Sequence, residues 1–62
     1  LVFQKSLTLT RDLAKGSTIT KNDLTLKKPG SGIPYSMVAG IIGKKVSRDL
    51  KMDDQIKFED LE

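Results

Sequence analysis

The sequence has no cysteine, no histidine and no tryptophan, and its only aromatic residues are Phe3, Tyr35 and Phe58. Without cysteine there is no disulfide framework and no thiolate. Without histidine the commonest metal ligand and near-neutral general base is also missing. Serine–histidine and cysteine–histidine catalytic pairs are thereby excluded. Apolar runs are short, and none approaches the ~20 residues that a helix needs to cross a bilayer. Leu1-Val2-Phe3 gives way at once to Gln4-Lys5-Ser6, so it does not read as a secretory leader. Three scattered aromatics offer little stacking surface for nucleic acid. At 62 residues there is room for one domain at most, and such a chain buries only ~60% of its unfolded surface.

What charge there is lies unevenly. Residues 1–52 carry ten basic and three acidic side chains, whereas residues 53–62 carry Lys57 against five acids. The basic stretch is a solvated surface more than a nucleic-acid footprint, given the few aromatics. Asp53-Asp54 and Glu59-Asp60 have no EF-hand spacing and read as solvated carboxylates. Gly43-Lys44 lacks the upstream glycine and the following Ser or Thr of a phosphate-binding loop.

The strongest internal signal is a repeat. TRDLAKGSTITKNDL at residues 10–24 returns as SRDLKMDDQIKFEDL at residues 47–61, a constant offset of 37. Leu7-Thr8-Leu9-Thr10 alternates with period two and predicts a strand. Ala14-Lys15-Gly16-Ser17 predicts a turn, with Gly16 supplying permissive backbone angles. Thr18-Ile19-Thr20 predicts a short extended piece, and Thr20 or Asn22 a cap for one helical turn at Asp23-Leu24. Leu24-Thr25-Leu26 alternates again and leads into Lys27-Lys28. The second copy repeats the scheme, with Met52-Asp53-Asp54 as its turn.

Neither copy can bury its apolar side chains alone. Leu13, Ile19 and Leu24 need a surface, and Leu50, Ile56 and Leu61 provide one, so the two halves are expected to close a single core about a pseudo-two-fold axis. Arg11-Asp12 and Arg48-Asp49 are expected to pair across that axis or to cap local turns, because they repeat with the architecture. The expected fold is mainly β, small and coil-rich, with short strands and short helical turns.

Between the copies lies a stretch used once. Lys27-Lys28-Pro29-Gly30-Ser31-Gly32-Ile33-Pro34 is a loop, the richest turn cluster in the chain. Pro34 suits the first position of a helix, on which Met37, Val38, Ile41 and Ile42 share one face, and Gly43 suits its left-handed end. A cation beside a Gly-flanked loop reads equally as a contact surface for a polar ligand and as a connector between the halves.

LTLTRDLAKGSTITKNDLTLKKPGSGIP followed by IIGKKVSRDL resembles the antifreeze-like (SAF) domain, and more narrowly the carboxyl-terminal copy in bacterial sialic acid synthases of the N-acetylneuraminate synthase family. The match runs from Gln4-Lys5-Ser6 to Asp60-Leu61, and its most specific parts are K-P-G-S-G-I and I-I-G-K-K. The resemblance implies a β-clip fold, shared with fish type III antifreeze proteins, over residues 1–62 as one SAF domain of a larger cytoplasmic enzyme. In that family an amino-terminal (β/α) barrel condenses phosphoenolpyruvate with N-acetylmannosamine or a related amino sugar, a carbon–carbon bond-forming transfer. A divalent metal, manganese or magnesium, belongs to the barrel and not to this domain.

The SAF domain itself is then non-catalytic. It swaps across a homodimer and covers the neighbouring subunit's barrel, and no nucleic acid or membrane partner is implied. The Arg of the family's R-P-G loop reaches the amino sugar, and here that position is Lys28, with Pro29, Gly30 and Gly32 shaping the loop. Lys lacks Arg's planar fork, so the sugar is expected to differ or to be held by a single bond. Phe3 is expected either to line the sugar's N-acyl pocket or to pack on its own domain. The alternative is a stand-alone binding module, ice-binding or part of a pilus or flagellar assembly protein. Ice binding is disfavoured because Lys21 and Asn22 stand where a flat apolar surface would be needed.

Overall fold

A computed structural model of the chain describes residues 5–62. Two four-residue strands, β1 (Ser6–Leu9) and β2 (Leu24–Lys27), pair antiparallel with Leu7 opposite Leu26 and Leu9 opposite Leu24. Among the described residues, three 3-10 helices complete the regular structure, at Lys21–Asp23, Tyr35–Gly40 and Phe58–Asp60. The rest is coil stitched by isolated bridges between Thr8 and Gln55, Leu13 and Leu50, Thr18 and Lys45, and Val46 and Leu61.

These contacts obey the sequence repeat bond by bond. Leu13 N–H donates to Leu50 O at 2.9 Å and Leu50 N–H donates back to Leu13 O at 2.8 Å, so the pseudo-dyad passes between them. Gly16 N–H donates to Val46 O, and its twin Asp53 N–H donates to Leu9 O. Ile19 N–H meets Lys44 O as Ile56 N–H meets Leu7 O. Even the left-handed backbone recurs, with φ of +88° at Gly16 and +73° at Asp53.

The core follows from this pairing. Leu9, Leu13 and Ile19 are buried with their twins Val46, Leu50 and Ile56, and Leu7, Ile33 and Ile41 complete the cluster. Leu24 and Leu61 pack against its edge. Each half supplies one face, and the area removed from water is shared between them. The single core expected from the repeat is therefore present, and the chain around it is mostly irregular, as expected.

The connecting helix departs from expectation. Tyr35–Gly40 is a 3-10 helix, preceded by Pro34 as its cap residue. With about three residues per turn, the inward stripe runs through Val38 to Ile41, while Met37 and Ile42 are exposed. The four-residue spacing of an α-helix, which grouped Met37, Val38, Ile41 and Ile42 on one face, does not apply. Gly43 does turn left-handed, at φ +94°.

Candidate functional site

The Arg11-Asp12 and Arg48-Asp49 pairs of the repeat, with Asp23 and Asp60, are architectural. Asp12 Oδ1 accepts from Met52 N–H and Asp49 Oδ1 accepts from Lys15 N–H, both at 2.7 Å, so each aspartate caps the opposite half's turn across the pseudo-dyad. The arginines act within their own halves. Arg11 Nε donates to Asp23 at 2.6 Å, and Arg48 Nε donates to Asp60 at 2.8 Å. Asp23 also accepts from the Thr20 amide and hydroxyl, and Asp60 from the Lys57 amide. Both carboxylates are buried. Asp60 is thus a structural acceptor, not the solvated group expected from the sequence. Burial pushes the Asp23 carboxyl up, but the Thr20 amide, Arg11 and the Thr20 hydroxyl outweigh it and hold the carboxyl below its ordinary value.

The loop used once is held differently. Lys28 follows β2 directly and is exposed, as is Pro29, and the peptide bond between them is cis. Neighbouring Lys27 is paired with Asp53 at 2.5 Å. Gly30 and Gly32 are half-buried. The buried Ser6 hydroxyl donates to Pro29 O at 2.7 Å and accepts from Gly32 N–H at 2.8 Å. Gln55 Nε2, from the second half, donates to the same Pro29 carbonyl at 3.0 Å. Leu7 N–H donates to Ile33 O at 2.8 Å, fixing the loop's far end to β1.

Gly32 is needed for this closeness. A Cβ there would stand 3.1 Å from Gln55 Oε1 and 3.2 Å from Ser6 Cβ, tighter than ordinary contact. The expected residues Lys28, Pro29, Gly30 and Gly32 are thus brought together on one braced loop, while Phe3 lies outside the described residues. Sequence reasoning missed Ser6 and Gln55 as the braces. Ser6 belonged to the quoted Gln4-Lys5-Ser6 motif, and Gln55 is a long amide where its twin is the shorter Thr18.

Two clefts flank the connecting segment. One, about 350 Å³, runs beside the loop between Gly32 and Ile33 on one side and Gln55 to Glu59 on the other, with Phe58 57% exposed on its wall. The other, about 140 Å³, is apolar and lies between Leu24, Leu26, Tyr35, Val38 and Ile42. Among the described residues, no group of His, Cys, Asp or Glu is arranged to hold a metal ion, and no helix is long and apolar enough to cross a membrane. The loop thus places the exposed Lys28 beside backbone groups held by Ser6 and Gln55.

Comparison with known proteins bears on the family and the fold. Residues 4–62 match the SAF domain family. The chain is 41% identical over 61 residues to N,N'-diacetyllegionaminic acid synthase of Legionella pneumophila, covering 98% of this chain and 17% of that protein. It is 30% identical to pseudaminic acid synthase of Helicobacter pylori, covering 97% of this chain and 18% of that one. The chain therefore spans less than a fifth of the length of these relatives. Among solved structures, the antifreeze protein-like domain of human N-acetylneuraminic acid phosphate synthase superposes with a TM-score of 0.90 at 27% identity, covering 95% of this chain and 76% of that one. With its small, repeat-built β fold and its match over nearly every residue, the chain belongs to the SAF domain family and has the antifreeze-like fold.

Proposed function

We propose that this domain is the non-catalytic substrate lid and dimer-swap element of a nonulosonate synthase, an enzyme that condenses phosphoenolpyruvate with an amino sugar. The observation that carries the reading is the braced loop with Lys28 exposed at its head. The similarity to synthases of legionaminic and pseudaminic acids supports the reaction class. It also favours an amino sugar related to N-acetylmannosamine over N-acetylmannosamine itself. In this reading the domain lies over the barrel of the neighbouring subunit in a cytoplasmic homodimer. The barrel supplies the bond-making groups and the divalent metal.

The domain's own part is electrostatic and steric. Lys28 gives a point-charge hydrogen bond to an oxygen of the sugar, and the loop excludes water around it. Because Lys28 is assigned to the sugar alone, Lys28→Ala in the full synthase raises the KM of the amino sugar about tenfold, the loss of one charged hydrogen bond. The KM of phosphoenolpyruvate stays within about twofold. Steady-state kinetics with each substrate varied separately checks this, and equal effects on both substrates would remove the assignment.

The ice-binding reading is weaker on the geometry. Thr18, Thr20, Lys21 and Asn22 are exposed together while Ile19 points into the core. The surface there is charged and polar, and its long ammonium side chain keeps its own hydration.

A further inference from the structure

Ser6 and Gln55 each reach the Pro29 carbonyl from a different half of the molecule, yet neither is a candidate for touching the sugar. Ser6 is fully buried, and its hydroxyl is used as donor and acceptor at once, bridging Pro29 O and Gly32 N–H across the base of the loop. Gln55 is half-buried and reaches over from the second copy of the repeat. Its backbone is fixed there by the bridge to Thr8, two residues along β1 from Ser6.

A carbonyl with two donors from two directions cannot rotate without losing one of them. The Pro29–Gly30 peptide is therefore fixed in orientation, and the braced Pro29 beside Lys28 anchors the stretch of loop from which the Lys28 side chain leaves. A flexible ammonium on a mobile loop would lose backbone entropy each time it bound; a braced loop has lost it on folding. We propose that Ser6 and Gln55 are positioning residues, which set the amino-sugar affinity through Lys28 without contacting the sugar. This inference rests on the reading of the loop as a sugar contact.

Two experiments separate the brace from that reading. In the 62-residue chain, amide hydrogen exchange followed by NMR reads the brace directly. Ser6→Ala removes the acceptor of Gly32 N–H, and that amide is expected to exchange at least tenfold faster while the Leu13 and Leu50 amides keep their protection. Unchanged exchange at Gly32 would overturn the proposal. Should Ser6→Ala lower protection at Leu13 and Leu50 as well, the milder Gln55→Ala decides: Gly32 exchange rising with the core intact supports the brace, and no rise overturns it.

In the full synthase, Gln55→Ala is expected to raise the amino-sugar KM at least threefold, with kcat and the phosphoenolpyruvate KM within twofold. That increase should vanish in a Lys28→Ala background, because a residue acting through Lys28 has nothing left to position. The same increase in both backgrounds would overturn the positioning role and leave the sugar contact standing. Failure of Lys28→Ala alone to change the sugar KM would remove the sugar contact, while the exchange data would still report the brace.

Discussion

Asp53 and Gly16 occupy the same place in the two halves, and both have φ in the left-handed region. Glycine accepts that region without cost, aspartate tolerates it better than most residues, and alanine does not. Gly16→Ala should therefore destabilise by about 1–2 kcal/mol, roughly 4–16 °C in Tm for a domain this small. Gly16→Asp, copying its twin, should cost clearly less. Thermal unfolding followed by circular dichroism distinguishes the two. The Asp23 carboxyl makes a different kind of residue-scale prediction. Its folded value is depressed, so its contribution is fully present above the ordinary carboxylate range and is lost as pH falls through the folded value. Asp23→Asn should lower stability at neutral pH and flatten the stability loss as pH falls below the ordinary carboxylate range. A variant that loses stability to acid as steeply as the original would refute the assignment.

At the scale of elements, the loop at residues 28–34 is where sequence reasoning stopped short. Its existence was legible from Pro29, Gly30 and Gly32, since no other residues so plainly interrupt a strand. Its bracing was not, because Ser6 and Gln55 lie 23 and 26 residues from Pro29 and nothing in local spacing announces such a bond. The connecting helix failed for a related reason. Met37, Val38, Ile41 and Ile42 fit the α period, but a six-residue segment held at both ends took the tighter 3-10 winding, which leaves Met37 and Ile42 exposed. The loop also yields its own prediction. In Gly32→Ala the new methyl would stand 3.1 Å from Gln55 Oε1 and 3.2 Å from Cβ of the fully buried Ser6, so both braces must give way to admit it. The variant should be destabilised by about 1–3 kcal/mol and, in a full synthase, should raise the sugar KM along with it. Urea unfolding and kinetics on the same preparation test both halves of that statement.

At the scale of the whole molecule, the repeat was the most legible feature, because a constant offset of 37 leaves little choice of partner. Leu13, Ile19, Leu50 and Ile56 are all in the core as the pattern demands. The axis through the Leu13–Leu50 pair could not be read, since a repeat does not say which residues lie nearest its own symmetry. It makes the two leucines equivalent. Leu13→Ala and Leu50→Ala should each cost about 2–5 kcal/mol, a large share of the ~3–9 kcal/mol available to a chain of this length. The two costs should agree within about 0.5 kcal/mol. Urea denaturation curves giving one variant several times the cost of the other would show that the axis is only approximate in energy.

The symmetry also explains where new chemistry can be tolerated. A substitution in either arm disturbs an interface whose other side is its own twin, so a useful change there is resisted by geometry on both sides. The segment between the arms has no twin. A change at residue 28 alters one surface once. The two arms thus constrain each other, while the stretch at residues 28–34 answers to no copy of itself and can vary with the scaffold unchanged.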